Sequence, residues 1–183
     1  MKKVYLIRHG LPDFPGGHRM CIGTTDIPMG EAGLAQAAAM VRKLPPVTAV
    51  FSSPLTRAVQ TAEAIGPDIT ILPGLREIHA GEWDGLTFRE IRERYPELYA
   101  ARGQDQTLPL PGAEGPESAL ARFSAAMKTA AQTAPGDLAV VAHGGIIARF
   151  LESIGGTRHK PDYAEILCLT YEHEAFTLQE DNL

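Results

Sequence analysis

The feature that most constrains the fold of this chain is an alternation of short, continuously apolar runs with longer segments whose apolar residues recur at helical spacing. The apolar runs predict five strands, at residues 4–7, 49–52, 69–72, 138–142 and 166–171. The periodic segments predict four helices, at residues 31–44, 55–65, 117–134 and 145–154. Because continuous apolar runs suit strands buried on both faces, the pattern predicts an α/β fold of three layers, with a mostly parallel central sheet and helices on both faces.

The length of the chain favours a single domain spanning residues 1–183, since 183 residues supply one full core but are few for two. The proline- and glycine-rich stretch 107–116 therefore predicts a loop rather than a linker between domains. Residues 172–183 predict a last edge strand that ends in a frayed terminus.

Charge and composition disfavour several classes of partner. The formal net charge of −5 disfavours nucleic acid, because affinity for phosphate backbones comes mainly from clustered Lys and Arg. No apolar stretch approaches the roughly 20 residues that a bilayer requires, and no long apolar signal region is present, so we expect no membrane partner and a cytoplasmic location. The two cysteines, Cys21 and Cys168, offer neither a disulfide framework nor a metal clip.

Two histidines stand where predicted strands end. His9 lies in the triplet Arg8-His9-Gly10 after the first run, and His143 opens the triplet His143-Gly144-Gly145 after the fourth. Ligands of open α/β sheets collect outside the carboxyl ends of strands, and Gly10 would let the backbone approach an anion closely. The pattern predicts a phosphate site. The remaining histidines outside the acidic loop described next lack this context and are expected to be ordinary: His18, His159 and His173.

Two further segments add candidate groups. After the second strand, Ser53 is expected to cap a helix that begins with Pro54, which would place Arg57 near an anion-friendly helix N-terminus. Beyond the third strand, loop 75–85 carries an indole and three carboxyl groups, any of which could donate a proton. Spacing alone does not choose among these carboxyl groups: Glu77, Glu82 and Asp84.

In their order along the chain, these elements resemble the motifs of the histidine phosphatase superfamily, the phosphoglycerate mutase-like proteins. The matching residues are Arg8-His9-Gly10, Gly23, Asp26, Pro28, Gly33, Gln36-Ala37, Ser52-Ser53-Pro54-Leu55, Arg57-Ala58, Leu75, Glu77, Gly81, Trp83-Asp84-Gly85 and His143-Gly144-Gly145. The resemblance implies an enzyme that hydrolyses phosphomonoesters, in which His9 becomes phosphohistidine and Glu77 protonates the leaving alcohol. It implies no metal and no other cofactor. The groups expected to bind substrate are Arg8, Arg57, His143, Gly10, Thr24 and Trp83.

Phosphoryl transfer asks for these residue types, because positioning and charge neutralisation are most of what it needs. A guanidinium fork matches phosphate oxygens in a bidentate way, which suits Arg8 and Arg57. His9 must attack as neutral imidazole, whereas His143 is more useful charged beside a dianion. We therefore expect the surroundings of His143 to raise its pKa and those of His9 not to do so.

The chain departs from the family pattern next to the nucleophile. The family usually continues with Glu or Gln, then Thr or Ser, and places an Asn a few residues later against the phosphate; here Leu11-Pro12-Asp13-Phe14-Pro15 follows. The single asparagine is Asn182, and Ile22 stands where Ser or Thr often precedes Gly23. Phosphate contacts are expected instead from backbone N–H groups, Thr24, Thr25 or water, with weaker binding or slower turnover as the result.

The insertion with extra basic residues that lets cofactor-dependent mutases of the family hold a second phosphate has no clear counterpart in this short chain, so the resemblance favours hydrolysis over mutase chemistry. The chain is similar to compact members such as the α-ribazole phosphatases of cobalamin biosynthesis. The predicted substrate is a small-molecule phosphomonoester such as α-ribazole 5'-phosphate, with Trp83 stacking on its flat base. Other candidates to line the leaving-group pocket are Phe14, His18, Arg19, Met20 and loop 107–116.

Several alternatives stay open at the level of sequence. The chain could be a broad-specificity sugar-phosphate phosphatase, a cofactor-dependent phosphoglycerate mutase or a non-catalytic module that binds a phospholigand. His9, His79 and His143 could instead form a three-imidazole metal site, although two neighbouring arginines would repel a divalent metal. Monomer and homodimer are both compatible with the sequence.

Overall fold

The computed structural model describes residues 1–158 and 160–179. Its strands are β1 (Lys2–Arg8), β2 (Ala49–Ser52), β3 (Ile69–Ile71), β4 (Leu138–Ala142), β5 (Ile166–Glu172) and β6 (Ala175–Leu178). Its helices are α1 (Glu31–Val41), α2 (Thr56–Glu63), α3 (Phe88–Arg94), α4 (Pro96–Gln104), α5 (Pro116–Thr133) and α6 (Gly144–Ser153). Within these residues, no helix combines the length and apolarity that crossing a membrane requires.

The strands form one mixed sheet in the order β3-β2-β4-β1-β5-β6. The pairs β3–β2, β2–β4 and β4–β1 are parallel, whereas β5 runs antiparallel to both β1 and β6. The predicted mostly parallel sheet is confirmed, with an antiparallel edge added. The expected edge strand is β6, which a tight turn through His173 and Glu174 at positive φ joins to β5. His159, Asn182 and the predicted frayed end at 180–183 lie outside the described residues.

Helices cover both faces of the sheet, as the sequence predicts. In β1, Val4 and Leu6 point into a core shared with α5 and α6, while Tyr5 and Ile7 point into a second core shared with α1 and α2. Each face of a strand is therefore apolar, which is why the central strands are continuous apolar runs rather than alternating ones.

Two helices, α3 and α4, are absent from the prediction because their residues are mostly polar and lack a clear apolar period. A local signal for the first of them is present in the sequence. Thr87 and Glu90 form a capping box, in which each side chain accepts from the other's backbone N–H. Proline at the start of α4 then separates the two helices.

The predicted cap of α2 is wrong. The helix begins at Thr56, two residues later than a Ser53 cap would place it, and Ser53 makes only a 3.3 Å contact with the N–H of Leu55. The carboxylate of Asp26 acts as the cap from a distant loop, accepting from both the backbone N–H and the hydroxyl of Thr56. Ser53 is thereby left for another partner.

The topology gathers the ends of three strands. Because β2, β4 and β1 are parallel neighbours, the residues that follow them, Ser53, His143 and His9, meet at one edge of the sheet. The N–H of His9 donates to the carbonyl of Ala142 at 3.0 Å, which fixes the backbone on either side of the two histidines.

Gly10 has a packing role, and its approach to an anion stays a prediction. Its N–H donates to Thr61, and a Cβ at this position would lie 2.6 Å from the backbone oxygen of Gly33 and 2.5 Å from the sulfur of Met29. The glycine is required because the segment after β1 passes directly over the start of α1.

We expect Gly10→Ala to lower the free energy of unfolding by about 1–3 kcal/mol, since backbone must move to admit the methyl group. Gly103→Ala is the matched control, because its Cβ would meet nothing within 4 Å near the end of α4. Denaturant unfolding of both variants measures the effect. Equal stability of the two variants would contradict the packing role of Gly10.

Candidate active site

His9 is buried directly after β1 and is held as a specific tautomer. Its Nδ1 lies 2.8 Å from the carbonyl oxygen of Gly10. Since a carbonyl oxygen only accepts, Nδ1 must carry the proton, and the lone pair of the neutral ring is on Nε2. The ring of His143 lies 5.0 Å from that of His9, centroid to centroid. The arrangement leaves Nε2 of His9 as a nucleophile.

His143 is fully buried at the N-terminus of α6 and is oriented by Ser53. Its Nε2 lies 2.7 Å from the hydroxyl oxygen of Ser53. Its Nδ1 has no hydrogen-bond partner in the described part of the chain. Ser53, which the sequence assigns to helix capping, therefore acts on the second histidine of the site.

Two guanidiniums are buried beside the imidazoles. Arg8 donates from Nη1 to the carbonyl of Pro161 at 2.6 Å, and its guanidinium lies 3.7 Å above the ring of Tyr163. Arg57 is 0% exposed and donates from its two terminal nitrogens to the carbonyls of Thr25 and Gly23, both at 2.9 Å. Backbone oxygens thus compensate part of the cost of burying these cations.

The loop that holds Arg57 is itself held by Asp84. This carboxylate accepts hydrogen bonds from the N–H groups of Gly23, Thr24, Thr25 and Ala80 and from both threonine hydroxyls. Burial alone would raise the pKa of Asp84, but these hydrogen bonds outweigh it and lower the pKa to about 2. Thr24 and Thr25 are therefore committed to Asp84, and the expectation that they replace the missing phosphate contacts is wrong.

Glu77 is the carboxyl group of loop 75–85 that faces the cavity of the site. It accepts from the N–H groups of Gly145 and Ile146 at the start of α6, both at 2.8 Å, and from its neighbour Ile78 at 2.9 Å. A Cβ on Gly145 would lie 2.9 Å from either carboxylate oxygen, so the glycine makes room for this cradle. Exposed Glu82 instead accepts from the hydroxyl of Tyr95 and lies off the cavity. Geometry therefore favours Glu77 where spacing alone left three choices.

The expected difference between the two imidazoles is not found. Burial and the Arg57 guanidinium lower the pKa of His9 well below its ordinary value. Burial, the neighbouring His9 and Arg57 lower the pKa of His143 in the same way. The prediction fails because both rings share one buried setting and the same cations. A neutral His9 suits the role of nucleophile. His143 would carry a positive charge when an anion bound between the two rings favours its protonated form.

The site opens into a cavity of about 540 Å³, whose lining includes Arg8, His9 and Glu77. Phe14, Arg19, Met20 and most of loop 107–116 line it as predicted. Other lining residues that carry titratable side chains are Cys21, His79, Arg102, Glu114, Arg149, Arg158, Lys160 and Tyr163.

Two predicted lining residues lie elsewhere. His18 is exposed outside the cavity, and Trp83 is only 5% exposed, packed against Tyr95 and Tyr99 of the segment around α4. Trp83 is a core residue because α3 and α4, which the prediction lacked, cover it. The stacking role proposed for its indole is therefore not supported.

Sequence reasoning missed Tyr163 and Lys160, which follow α6 in a segment without a recognisable motif. Partial burial and the Arg8 guanidinium lower the pKa of Lys160, whose ammonium adds a further cation to the cavity. Cys21 is not a rival nucleophile, because burial raises its pKa to about 11. Among residues 1–158 and 160–179, no three His, Cys, Asp or Glu side chains are placed to hold a metal ion, so His79 does not join His9 and His143 in such a group.

The chain is similar to known proteins in sequence and in fold. The model of the histidine phosphatase superfamily (branch 1) matches residues 4–183. A metal-independent phosphoserine phosphatase of Arabidopsis thaliana is 34% identical over 157 residues, which cover 79% of the chain. The chain covers only 65% of that relative's length, less than two thirds.

Solved structures show the same fold. The mycobacterial glucosyl-3-phosphoglycerate phosphatase in complex with VO3 has a TM-score of 0.82 at 27% identity, covering 98% of both chains. The α-ribazole phosphatase of Shigella flexneri has a TM-score of 0.79 at 23% identity, covering 97% of this chain and 94% of that one. At that identity, the second likeness is one of fold alone.

We expect acid to weaken the Asp84 network. A folded-state pKa of about 2, below the ordinary value of about 3.9, gives stability that is complete near pH 5 and above and is lost as pH falls towards 2. Between those pH values, the free energy of unfolding should fall by about 2 kcal/mol more in the wild type than in Asp84→Asn.

Denaturant unfolding across the pH range measures this difference. Asp68→Asn, at an exposed position before β3, is the matched control and should keep the wild-type profile. Parallel pH profiles for the wild type and Asp84→Asn would contradict the assigned role of Asp84.

Proposed function

The chain belongs to the histidine phosphatase superfamily, and on that premise we propose that it is a phosphatase that hydrolyses small-molecule phosphomonoesters through a phosphohistidine at His9. One observation carries the proposal. Two buried guanidiniums and a second imidazole lie beside a histidine whose Nδ1 proton is already bound, and this histidine lines one cavity together with Arg8 and the carboxyl group of Glu77. This is a nucleophile, an anion site and a proton donor in one place.

In the first step, Nε2 of neutral His9 attacks phosphorus, and the bond from phosphorus to the ester oxygen breaks. The developing imidazolium keeps its Nδ1–H bound to the Gly10 carbonyl, which stabilises the positive charge. Arg8 and Arg57 neutralise the phosphoryl oxygens, as metal ions do in other phosphoryl-transfer enzymes, and His143 adds a third positive charge when the bound anion favours its protonated form.

Glu77 gives its proton to the leaving alkoxide in that step. The three N–H groups around its carboxyl stabilise the carboxylate that results, with the N-terminus of α6 adding favourable charge. The carboxylate then takes a proton from the water that attacks phosphohistidine, releasing phosphate and restoring His9. One carboxyl group thus serves as acid and then as base.

The phosphate contacts absent from the usual motif need a replacement, and Lys160 is the candidate we propose. It lines the cavity, and the Arg8 guanidinium lies near enough to lower the pKa of Lys160. A lysine supplies a point charge rather than the directed hydrogen bonds of an amide, so some loss of phosphate affinity is still expected.

Within the class of small phosphomonoesters, α-ribazole 5'-phosphate and a place in cobalamin biosynthesis remain the substrate hypothesis from the sequence. The Shigella protein shares only the fold, and the buried position of Trp83 leaves this hypothesis without the contact that was expected to recognise a flat base. Broad specificity towards sugar phosphates is the alternative outcome of the test below.

We expect His9→Ala to lower hydrolysis of p-nitrophenyl phosphate roughly 10³-fold or more with chelator present, because the nucleophile is lost. His18→Ala, an exposed histidine off the cavity, is the matched control and should keep wild-type turnover. Assays with α-ribazole 5'-phosphate and sugar phosphates on the same proteins rank the substrates. Full activity of His9→Ala would refute the phosphohistidine mechanism.

Glu77→Gln should separate substrates by leaving group. An alkyl phosphate needs a proton on its departing oxygen, so its kcat/KM should fall by about 10²–10⁴-fold, whereas p-nitrophenolate leaves without help and should be affected far less. Glu82→Gln, which alters the exposed carboxyl group bound to Tyr95, is the control. Equal losses on both esters in Glu77→Gln would argue against proton donation.

A further inference from the structure

Tyr163 lies against two members of the charged cluster. The guanidinium carbon of Arg8 is 3.7 Å from the centroid of the Tyr163 ring. The ring of His9 lies 5.7 Å from the same centroid, with an angle of 52° between the two planes. Tyr163 also lines the cavity of the site. Its ring is therefore a wall beside both the nucleophile and one of the cations of the proposed mechanism.

The backbone next to Tyr163 is tied to the end of β1, which carries Arg8 and His9. The N–H of Ala164 donates to the carbonyl oxygens of Arg8 at 3.0 Å and of His9 at 3.3 Å. The carbonyl of Glu165 accepts from the N–H of Arg8 at 3.2 Å. Ala164 has a φ of 59°, a conformation that residues with a Cβ rarely adopt, so the contacts around it hold a strained backbone in place. The position of Tyr163 relative to Arg8 is thus fixed by its neighbours.

The aromatic contact fixes the plane of the Arg8 guanidinium. Its Nη1 donates to the carbonyl of Pro161 at 2.6 Å, and its Nε is buried without a hydrogen-bond partner in residues 1–158 and 160–179. A hydrogen bond from one nitrogen does not set the tilt of the plane. The ring does so, because at 3.7 Å the two flat groups are in van der Waals contact, and a strong tilt would drive a nitrogen into the ring.

The tilt of this plane decides what Arg8 can bind. A guanidinium donates two parallel hydrogen bonds to two oxygens of one phosphoryl group only when its plane is aimed at them. A misdirected fork keeps its charge but loses the directed contacts, and small errors of placement are costly where donors must be preorganised for the transition state. The group that sets the tilt of Arg8 therefore affects turnover as well as binding.

We propose that Tyr163 is a positioning residue for phosphoryl transfer, whose ring holds the Arg8 guanidinium in the plane in which the fork meets the phosphoryl oxygens. The inference rests on the proposed function and deepens it. The face of the ring carries this role, so the phenolic hydroxyl is dispensable. Tyr163 acts through Arg8 and not through a contact of its own with the phosphoryl group.

Hydrolysis of p-nitrophenyl phosphate with chelator present tests the ring. Tyr163→Leu should lower kcat/KM by roughly tenfold or more, with part of the loss in kcat, because the plane of Arg8 is no longer fixed. Tyr163→Phe keeps the ring and should stay within roughly threefold of the wild type. Tyr99→Leu, at another partly buried tyrosine that lies off the cavity, is the matched control and should do the same. Wild-type kcat/KM in Tyr163→Leu, or an equal loss in Tyr163→Phe, would overturn the proposal.

A double-mutant cycle tests whether Tyr163 acts through Arg8. Arg8→Lys keeps a positive charge but leaves no plane for the ring to orient. In the Arg8→Lys background, Tyr163→Leu should therefore lower kcat/KM by less than roughly threefold, since its effect has already been lost. An equal loss from Tyr163→Leu in both backgrounds would overturn the proposal, because the ring would then act independently of Arg8.

Binding of inorganic phosphate separates failure of this inference from failure of the proposed function. Calorimetric titration of phosphate into the same variants needs no turnover. If the wild type binds phosphate but hydrolyses no phosphomonoester, the phosphatase is refuted and the cycle in Kd decides the role of Tyr163. Roughly tenfold weaker binding in Tyr163→Leu that disappears in the Arg8→Lys background would support the positioning role. Equal affinities would overturn it.

The reverse outcome is also distinct. His9-dependent turnover that is unchanged in Tyr163→Leu would overturn the positioning role and leave the phosphatase standing. Thermal unfolding of each variant establishes that it is folded. If Tyr163→Leu does not fold, Tyr163→Met takes its place under the same expectations, because an unbranched methionine adapts to an irregular space without offering a flat face.

Discussion

The burial of two guanidiniums beside two imidazoles is the constraint on which the rest of the structure depends. Charge in a protein interior is costly unless hydrogen bonds meet it, and here backbone carbonyls do so: Pro161 for Arg8, and Gly23 with Thr25 for Arg57. Each carbonyl belongs to a loop rather than to the sheet. The loops around the site therefore stabilise the buried charges, whereas the sheet brings the strand ends together.

A second layer of side chains keeps those loops in place. Asp84 fixes the loop that holds Arg57, and Ser53 orients His143. Asp26 caps α2, which sets where that helix begins and hence where Arg57 lies. None of these groups is a member of the charged cluster, yet each decides the position of one that is. The charged cluster is thus held by positioning groups that lie far apart in sequence, between residues 26 and 84.

Much of the fold and the charged cluster could be predicted from the sequence because both leave local signals. Apolar runs predict the central strands, and motifs at strand ends predict His9 and His143. Contacts between distant segments leave no such signal: the burial of Trp83 depends on α3 and α4, and the commitment of Thr24 depends on a carboxylate 60 residues away. The predicted rise in the pKa of His143 was wrong for a related reason, because the burial that lowers this pKa depends on the assembled fold.

The N-terminal half of α6 brings two functions onto one rigid element. His143 precedes it, and its first N–H groups hold Glu77. At 1.5 Å per residue, about 3 to 5 Å along the helix axis separates His143 from the N–H groups that hold Glu77. A shift of α6 would therefore move His143 and the Glu77 carboxyl group together, so the spacing between the two is kept by one helix.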